Sequence, residues 1–319
     1  MNLSEIYEQG EAALRSRDIG RLLDGVETEF VLSNNRRILD GYTIKQRCID
    51  GVEPTAQCTV LGVSLSTPVI MSAMTMPIPA ITDNGLIEVA RGLKAAGSLI
   101  WTGTPIPQNL SEIVETGVPV AANVKPLKDR GKLFEAIDQI QSAGITWLGV
   151  EIDSGQGTKV HDTQMARDCF PLSLDELKTI RDRVSIPLIL KGVLSREDAE
   201  KALEAGADGI VLSKHGAHTL DYLPHPFQVM DDIVRAVQGN ATILVDSGFR
   251  RGSDVFKGLA FGADLVGLGR PILYGLAANG AEGVEAVIQE ITSELLRFMS
   301  MTGASDPGQV TRDLLIKQG

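Results

Sequence analysis

The sequence predicts a single (β/α)8 barrel, and three features of the chain indicate it. From Thr67 onward, short apolar runs alternate with amphipathic segments, which is the rhythm of strands that are each followed by a helix. The runs are almost continuously apolar, as is typical of parallel strands buried on both faces. Eight runs, the number that closes such a barrel, span 68–73, 98–103, 119–124, 146–153, 187–192, 208–213, 242–248 and 264–269.

Helices are predicted between these strands. The segments 132–144, 196–206 and 253–262 have helical spacing, and each ends in Ala-Gly or Phe-Gly, where a glycine supplies a left-handed cap. An open doubly wound sheet is the alternative fold, but no GxGxxG motif opens the first strand–helix unit.

The first 60 residues differ from the rest of the chain. They contain predicted helices at 3–16 and around 28–39, and no clear barrel strand. We therefore predict a helical extension over residues 1–60, packed on a barrel over residues 61–319.

Composition argues against several classes of protein. The net charge of −11 disfavours nucleic acid or an anionic membrane as a partner, because both attract basic patches. The three cysteines are widely spaced, so neither a disulfide framework nor a metal site is indicated. No apolar run is long enough to span a bilayer, and the charged N-terminus does not resemble a signal peptide. We expect a cytoplasmic protein.

Candidate reactive residues follow from the fold. In a (β/α)8 barrel the reactive groups lie at the C-terminal ends of the strands and in the loops that follow. This rule selects Asn123, Lys125, Glu151, Asp153, Lys191, Ser213, Lys214, His215, His218, Asp246, Arg250, Gly269 and Arg270.

Lys191 ends the apolar run Pro-Leu-Ile-Leu inside the predicted barrel. Its ammonium group would be costly to bury there without an anionic partner. A reduced flavin, which is anionic near N1, would be such a partner. The alternative is that the lysine stem packs against the barrel and its head reaches water.

The last two strand–helix loops predict a phosphate site. The segments DSGFRRGSDV and GLGRP place glycines with Arg250 and Arg270 in the loops where barrels commonly bind phosphate. Backbone N–H groups left accessible by glycine can hold a dianion, and arginine adds paired hydrogen bonds. The alternative is that the glycines only make turns and the arginines form surface ion pairs.

The segment SKHGAHTLDYLPH holds three of the four histidines. A neutral imidazole held by a carboxylate is a good base near pH 7. We interpret His215 as a base and Asp153 as the carboxylate that orients it. His161 and His225 are interpreted as structural or surface residues.

Two long segments, KGVLSREDAEKALEAGADGIVLSKHGAHTLDYLP and LVDSGFRRGSDVFKGLAFGADLVGLGRPILYGLA, closely resemble the FMN-dependent 2-hydroxy acid oxidases and dehydrogenases. The resemblance is dense from about 187 to 303 and looser from 25 to 153, where ETEFVLSNNR and PLKDR are similar to family segments. It implies an FMN-binding barrel that oxidises a hydroxyl-bearing carbon of a small 2-hydroxy acid-like substrate. The electron acceptor is left open between oxygen, a quinone and a protein, and barrels of this family often form tetramers.

The resemblance also implies a role for each matching residue. His215 matches the catalytic base, Asp153 the orienting carboxylate and Lys191 the lysine beside flavin N1. Asp246 would hold the ribityl hydroxyls. The implied FMN-binding residues are Ala73, Met74, Thr75, Gly103, Asn123, Glu151, Lys191, Ser213, Asp246, Gly248, Arg250, Gly269 and Arg270, of which Gly103, Asn123 and Glu151 stand where the family has other polar residues.

The substrate side departs from the family. Where the family reads SNHGGRQ or SNHGARQ, this chain reads SKHGAHT, so His218 replaces an arginine that clamps the substrate carboxylate. Lys125 replaces one substrate-binding tyrosine, and Leu22 or Leu23 replaces another. Lys125 and a protonated His218 could rebuild an anion site as substrate-binding residues. We expect glycolate and L-lactate to be poor substrates.

Only 33 residues separate Asp153 from Pro187, where the family usually has a longer mobile lid. A shorter lid suggests a more open pocket, for a larger substrate or a protein-borne one. Two alternative functions keep the flavin. One is an isomerase of the type 2 isopentenyl diphosphate isomerase kind, in which no net oxidation occurs. The other is a flavin-binding protein without catalytic activity.

Overall fold

A computed structural model describes residues 2–17, 19–158 and 168–318. Within these residues, strands span Tyr42–Ile44 (β1), Cys58–Val60 (β2), Val63–Leu65 (β3), Val69–Met71 (β4), Ile100–Thr102 (β5), Val120–Val124 (β6), Trp147–Glu151 (β7), Leu188–Lys191 (β8), Gly209–Leu212 (β9), Thr242–Val245 (β10), Leu265–Leu268 (β11) and Leu315–Lys317 (β12).

The described α-helices span Leu3–Arg15 (α1), Phe30–Asp40 (α2), Ile78–Ile81 (α3), Gly85–Ala95 (α4), Leu110–Glu115 (α5), Arg130–Ser142 (α6), Leu174–Arg183 (α7), Arg196–Glu204 (α8), Pro226–Val237 (α9), Gly252–Ala260 (α10) and Arg270–Ser300 (α11). Short 3-10 turns cover Gly20–Leu23, Ile152–Ser154, His215–Ala217, Pro307–Gln309 and Arg312–Leu314.

Strands β4 to β11 form one parallel sheet in which each strand pairs with its neighbours in the order β4-β11-β10-β9-β8-β7-β6-β5. The two ends of this order meet, because Met71 N on β4 donates to Leu99 O beside β5 at 3.2 Å. Each of the eight predicted apolar runs contains one of these strands. The predicted (β/α)8 barrel is therefore confirmed.

The hairpin β2–β3 closes the N-terminal end of the barrel. Val60, Val63 and Leu65 are buried in one cluster with Leu99 and Leu265, which lie where strands β5 and β11 begin. Trp147, also in that cluster, donates from its indole Nε1 to Leu61 O at 3.2 Å. Since this end is filled by apolar side chains, the opposite end is left for the site.

Helices α1 and α2 and strand β1 pack on the barrel from outside. Helix α1 lies directly on α11, because a Cβ on Gly10 would come within 2.2 Å of Tyr274 O. Arg36 on α2 makes two hydrogen bonds of 2.9 and 3.0 Å to Asp254 on α10. Strand β1 pairs antiparallel with β12 near the C-terminus. The division of the chain near residue 60 remains a prediction.

Among the described residues, no helix combines the length and the apolar character that crossing a membrane would require.

Candidate active site

A cavity of about 370 Å³ opens at the C-terminal end of the barrel strands. The loops after these strands supply most of its wall, with contributions from α1 and α2 and from the 3-10 turn Gly20–Leu23. Of the predicted site residues, those that line it are Ala73, Met74, Thr75, Gly103, Lys125, Glu151, Lys191, His215, His218, Asp246, Gly248, Arg250, Gly269 and Arg270. The predicted residues Asn123, Asp153 and Ser213 lie behind this wall.

His215 is held from behind by Asp153. Its Nδ1 lies 3.2 Å from each carboxylate oxygen of Asp153. Burial raises the pKa of Asp153, but Lys191 and His215 outweigh it and bring the pKa down to about 2, so the carboxylate is ionised at neutral pH. Gly192 makes this contact possible, because a Cβ there would lie 2.4 Å from Asp153 Cβ and its φ of +102° also favours glycine.

The backbone at His215 is also constrained. Its φ is +52°, which is uncommon for a residue with a side chain and recurs at functional sites. Its N–H donates to Ser213 Oγ at 3.1 Å, and Arg270 donates to the next carbonyl, Gly216 O, at 3.0 Å. These two contacts hold the imidazole at the edge of the cavity.

Lys191 lies beside the same imidazole and is 2% exposed. Its Nζ is 3.2 Å from His215 Nδ1. Burial lowers the pKa of Lys191, but the charges of Asp153, Glu151 and Asp246 raise it above its ordinary value, so the ammonium form is retained. The sequence prediction that Lys191 needs anionic neighbours agrees with these three carboxylates.

Glu151 lies between Lys125 and His215 at the cavity wall. Its Oε2 lies 3.8 Å from Lys125 Nζ and 3.9 Å from His215 Nε2, and both Glu151 and Lys125 are almost fully buried. Asn123 donates to Glu151 Oε1 at 3.0 Å and accepts from the indole of Trp101 at 2.7 Å. Asn123 is therefore positioned behind Glu151 and does not face the cavity.

The remaining substrate-side residues occupy the cavity rim. His218 Nε2 lies 3.2 Å from Asp24 O, and Leu23 lines the cavity near it. The side chain of Leu22, the lid residues 159–167 and His161 are outside the described part of the chain.

The predicted phosphate loop follows β10. Gly248 has a φ of +95°, and a Cβ there would lie 2.8 Å from Asn35 Cβ on α2. The side chain of Arg250 lines the cavity, whereas its backbone N–H is already donated to Asp254 at 3.0 Å. The guanidinium of Arg250, rather than its backbone N–H, is therefore available to an anion at this point.

Arg270 lines the cavity beside this loop and is fixed by its neighbours. Its guanidinium donates to Leu23 O at 2.9 Å and to Gly216 O at 3.0 Å. Burial lowers the pKa of Arg270, with Arg250 nearby adding to the effect, and the guanidinium stays charged because its ordinary pKa is so high. The cationic side chains of Arg250 and Arg270 therefore lie near each other at the same end of the cavity.

Comparison with known proteins identifies the same family that the sequence resembles. The family model described as FMN-dependent dehydrogenase matches residues 13–168 and 154–317. An L-lactate oxidase from Lentilactobacillus hilgardii is 30% identical over 99% of this chain and 94% of its own length. A peroxisomal (S)-2-hydroxyacid oxidase from Arabidopsis thaliana is 43% identical over 98% of this chain and 95% of its own length.

The structure of a lactate oxidase from Pediococcus acidilactici superposes with a TM-score of 0.92 at 30% identity, covering 100% of this chain and 95% of that one. The chain belongs to the FMN-dependent dehydrogenase family. It is an FMN-dependent oxidoreductase that acts on a CH–OH group. The predicted family, enzyme class and cofactor are confirmed, and the isomerase alternative gains no support.

The cavity also fits FMN by its own chemistry. The hydroxyls of Ser72 and Thr104 are buried at the cavity wall and have no hydrogen-bond partner within the described residues. A Cβ on Gly103 would come within 3.2 Å of Thr75 N, so the backbone segments at Gly103 and Thr75 pack closely along this stretch of wall. A flat ring with polar edges can lie against such a wall and satisfy the two hydroxyls.

Several residues that shape the site were not selected from the sequence. Gly192 and Gly149 are needed because a Cβ on either would overlap Asp153 or Asn123. Trp101 fixes Asn123 through its indole. The signal for both glycines is a glycine within or directly after a buried strand, which marks a close approach of another group.

Proposed function

We propose that this enzyme oxidises the hydroxyl-bearing carbon of a 2-hydroxy acid-like substrate, with His215 as the base. The observation that carries the proposal is the contact of His215 Nδ1 with both oxygens of Asp153, 3.2 Å each, at the wall of the cavity. An imidazole oriented in this way is the arrangement that proton abstraction requires.

The tautomer follows from the partners. Asp153 is ionised and can only accept hydrogen bonds, so Nδ1 carries the proton that it donates to this carboxylate. Nε2 then has a free lone pair, and it is the nitrogen on the side of Glu151 and the cavity. When Nε2 takes the substrate proton, Asp153 stabilises the resulting imidazolium.

Lys191 competes with Asp153 for the same imidazole nitrogen. An ammonium 3.2 Å from Nδ1 cannot donate to a nitrogen that already carries a proton. We expect Lys191 to donate instead to an acceptor in the cavity, at the flavin N1 and C2 carbonyl edge, where it would offset negative charge. FMN, when bound, accepts the two electrons that leave the substrate carbon.

The remaining predicted residues are assigned to cofactor binding. We place the phosphate at Gly248, Arg250, Gly269 and Arg270, and the ribityl hydroxyls at Asp246. The backbone at Ala73, Met74, Thr75 and Gly103 would lie along the flavin. Glu151 would face its polar edge, with Asn123 and Ser213 acting through their contacts to Glu151 and His215.

The residues on the substrate side of the cavity favour a substrate other than the smallest hydroxy acids. The relatives compared above are named for L-lactate and (S)-2-hydroxy acids. Here Lys125 is already paired with buried Glu151, so it attracts a substrate carboxylate less than a lone cation would. Glycolate and L-lactate are therefore expected to be poor substrates, and His218 to contact the substrate at the rim.

The test is anaerobic reduction of the bound flavin by a panel of 2-hydroxy acids, from glycolate and L-lactate to larger aliphatic and aromatic ones. We expect a larger member to bleach the flavin quickly and the two smallest to bleach it slowly. If no hydroxy acid bleaches a flavin that dithionite does reduce, the proposed substrate class is wrong. Admission of oxygen after bleaching then separates an oxidase from a dehydrogenase.

A further inference from the structure

Lys214 is a buried cation for which the proposed function has no role. It is 1% exposed, lies in the turn after β9 and does not line the cavity. It stands where the resembling family has asparagine, in SKHG against SNHG. Burial lowers its pKa to about 8, with Asp246 acting in the opposite direction, so the side chain is mostly protonated at pH 7. A cation buried in this way needs a defined acceptor.

That acceptor is Asn35 on helix α2. Lys214 Nζ donates to Asn35 Oδ1. Because an ammonium group can only donate, the amide oxygen must face Lys214 and the amide NH2 must face away from it. Asn35 is 7% exposed, and within the described part of the chain its Nδ2 donates no hydrogen bond.

The NH2 group is located next to the proposed phosphate loop. Asn35 lines the cavity together with Gly248, and a Cβ on Gly248 would lie 3.3 Å from Asn35 Nδ2. Ser247 links the loop after β10 to the backbone of Lys214. Its Oγ accepts a hydrogen bond from the backbone N–H of Lys214 at 3.0 Å and donates one to Asp246 Oδ1 at 3.1 Å. Two oriented N–H bonds are thus presented beside the backbone that would bind the anion.

We propose that Asn35 Nδ2 is a further hydrogen-bond donor to the FMN phosphate, and that Lys214 is a positioning residue that fixes the Asn35 amide in the donating orientation. This inference rests on the proposed placement of the phosphate at Gly248 and Arg250. Lys214 does not touch the cofactor; it acts through Asn35. Hydrogen bonds to a charged group are the strong ones, so the effect on affinity is measurable.

Riboflavin, which lacks the phosphate, makes the test specific. Flavin-free protein is titrated with FMN and with riboflavin, and binding is followed by quenching of flavin fluorescence. In the isosteric variant Asn35→Asp, the lysine keeps its acceptor but the phosphate meets a carboxylate in place of a donor. We expect the Kd for FMN to rise about tenfold or more and that for riboflavin to change less than about twofold. An unchanged Kd for FMN, or equal losses for both flavins, would overturn the proposal.

A second variant tests the positioning role. Lys214→Met keeps the length of the side chain but frees the amide to rotate, so it should weaken FMN binding and spare riboflavin binding. The double variant Asn35→Leu/Lys214→Met should bind FMN no more weakly than Asn35→Leu alone, because both changes remove the same donor. Additive losses in the double variant would show that Lys214 does not act through Asn35.

Arg250→Gln is the matched control for the phosphate placement. It should also weaken FMN binding and leave riboflavin binding unchanged. If Arg250→Gln discriminates between the two flavins and Asn35→Asp does not, only the inference on Asn35 is wrong. If neither variant discriminates, the placement of the phosphate is wrong, and the inference fails with it.

Discussion

Two sides of the cavity differ in the arrangement of their charged side chains: the side where we place the FMN phosphate, called the phosphate side, and the side where we place the substrate, called the substrate side. On the phosphate side, Arg250, Arg270 and the buried Lys214 are gathered around loops with glycine backbone. On the substrate side, the buried cation Lys125 lies 3.8 Å from the buried carboxylate Glu151, so the two charges largely offset each other. The first side is suited to a dianion, and the second is close to electrically balanced.

The difference indicates which function is shared with relatives and which is particular to this chain. The phosphate side carries the segments that resemble the family, and the chain belongs to the FMN-dependent dehydrogenase family. The substrate side carries most of the departures, namely Lys125, His218 and either Leu22 or Leu23. A change on one side should therefore alter flavin binding or stability, and a change on the other should alter substrate use.

Asp153→Asn should slow flavin reduction strongly and leave flavin binding almost unchanged. The asparagine amide can donate to Nδ1, which favours the tautomer that carries its proton on Nε2 and cannot act as a base. We expect the rate of flavin reduction to fall about 100-fold or more, with FMN affinity within about threefold. The control Asp24→Asn removes a carboxylate from the cavity rim and should retain the rate. A rate close to wild type in Asp153→Asn would rule out the orienting role.

Glu151→Gln should change the charge balance on the substrate side of the cavity. Removing the carboxylate takes away one negative charge that offsets the charge of Lys125, so a substrate carboxylate is attracted more strongly. We expect the KM for L-lactate to fall by roughly tenfold, which is about 1.4 kcal/mol. Lys125→Met should shift KM in the opposite direction. An unchanged or higher KM in Glu151→Gln would mean that the pair does not set the charge of the substrate site.

His225→Asn should affect stability alone. His225 is fully buried behind the phosphate loop, and burial, then the charge of Lys214, lower its pKa to about 3. An unfolded histidine takes up a proton below about pH 6.5. Between these values the unfolded state binds more protons, so the free energy of unfolding falls as pH falls.

Asparagine can still accept from Phe227 N, the contact by which His225 caps α9, but it does not titrate. The loss of stability between pH 6 and pH 4 should therefore become shallower by about 1 kcal/mol per pH unit in denaturant unfolding. The difference between the two proteins at pH 8 serves as the reference, since His225 is neutral there in both states. Parallel pH curves would contradict a buried neutral histidine.

The strand ends and their chemistry could be predicted from sequence because both follow local patterns. Each of the eight apolar runs contains a strand, and the rule that reactive groups follow such strands selected His215, Asp153 and Lys191. The structural role expected of His225 agrees with its burial and its capping contact with Phe227.

The remaining features depend on which groups meet across the barrel, and no local pattern encodes that. Lys125 and Glu151 were selected separately, but their pairing depends on the register of β6 against β7. Asn35 was missed because it becomes part of the site only when α2 packs beside the loop after β10. Asn123 was expected to face the flavin, whereas Trp101 and Glu151 hold it behind the wall.

The central claim, that His215 is the base of an FMN-dependent oxidation, is tested most directly by rapid mixing of His215→Gln with the best hydroxy acid under anaerobic conditions. Glutamine can retain a hydrogen bond to Asp153 but cannot take up the substrate proton. We predict a protein that binds FMN with the wild-type spectrum and whose flavin is reduced at least about 1,000-fold more slowly. A variant that holds FMN and is reduced at a rate near wild type would contradict the claim.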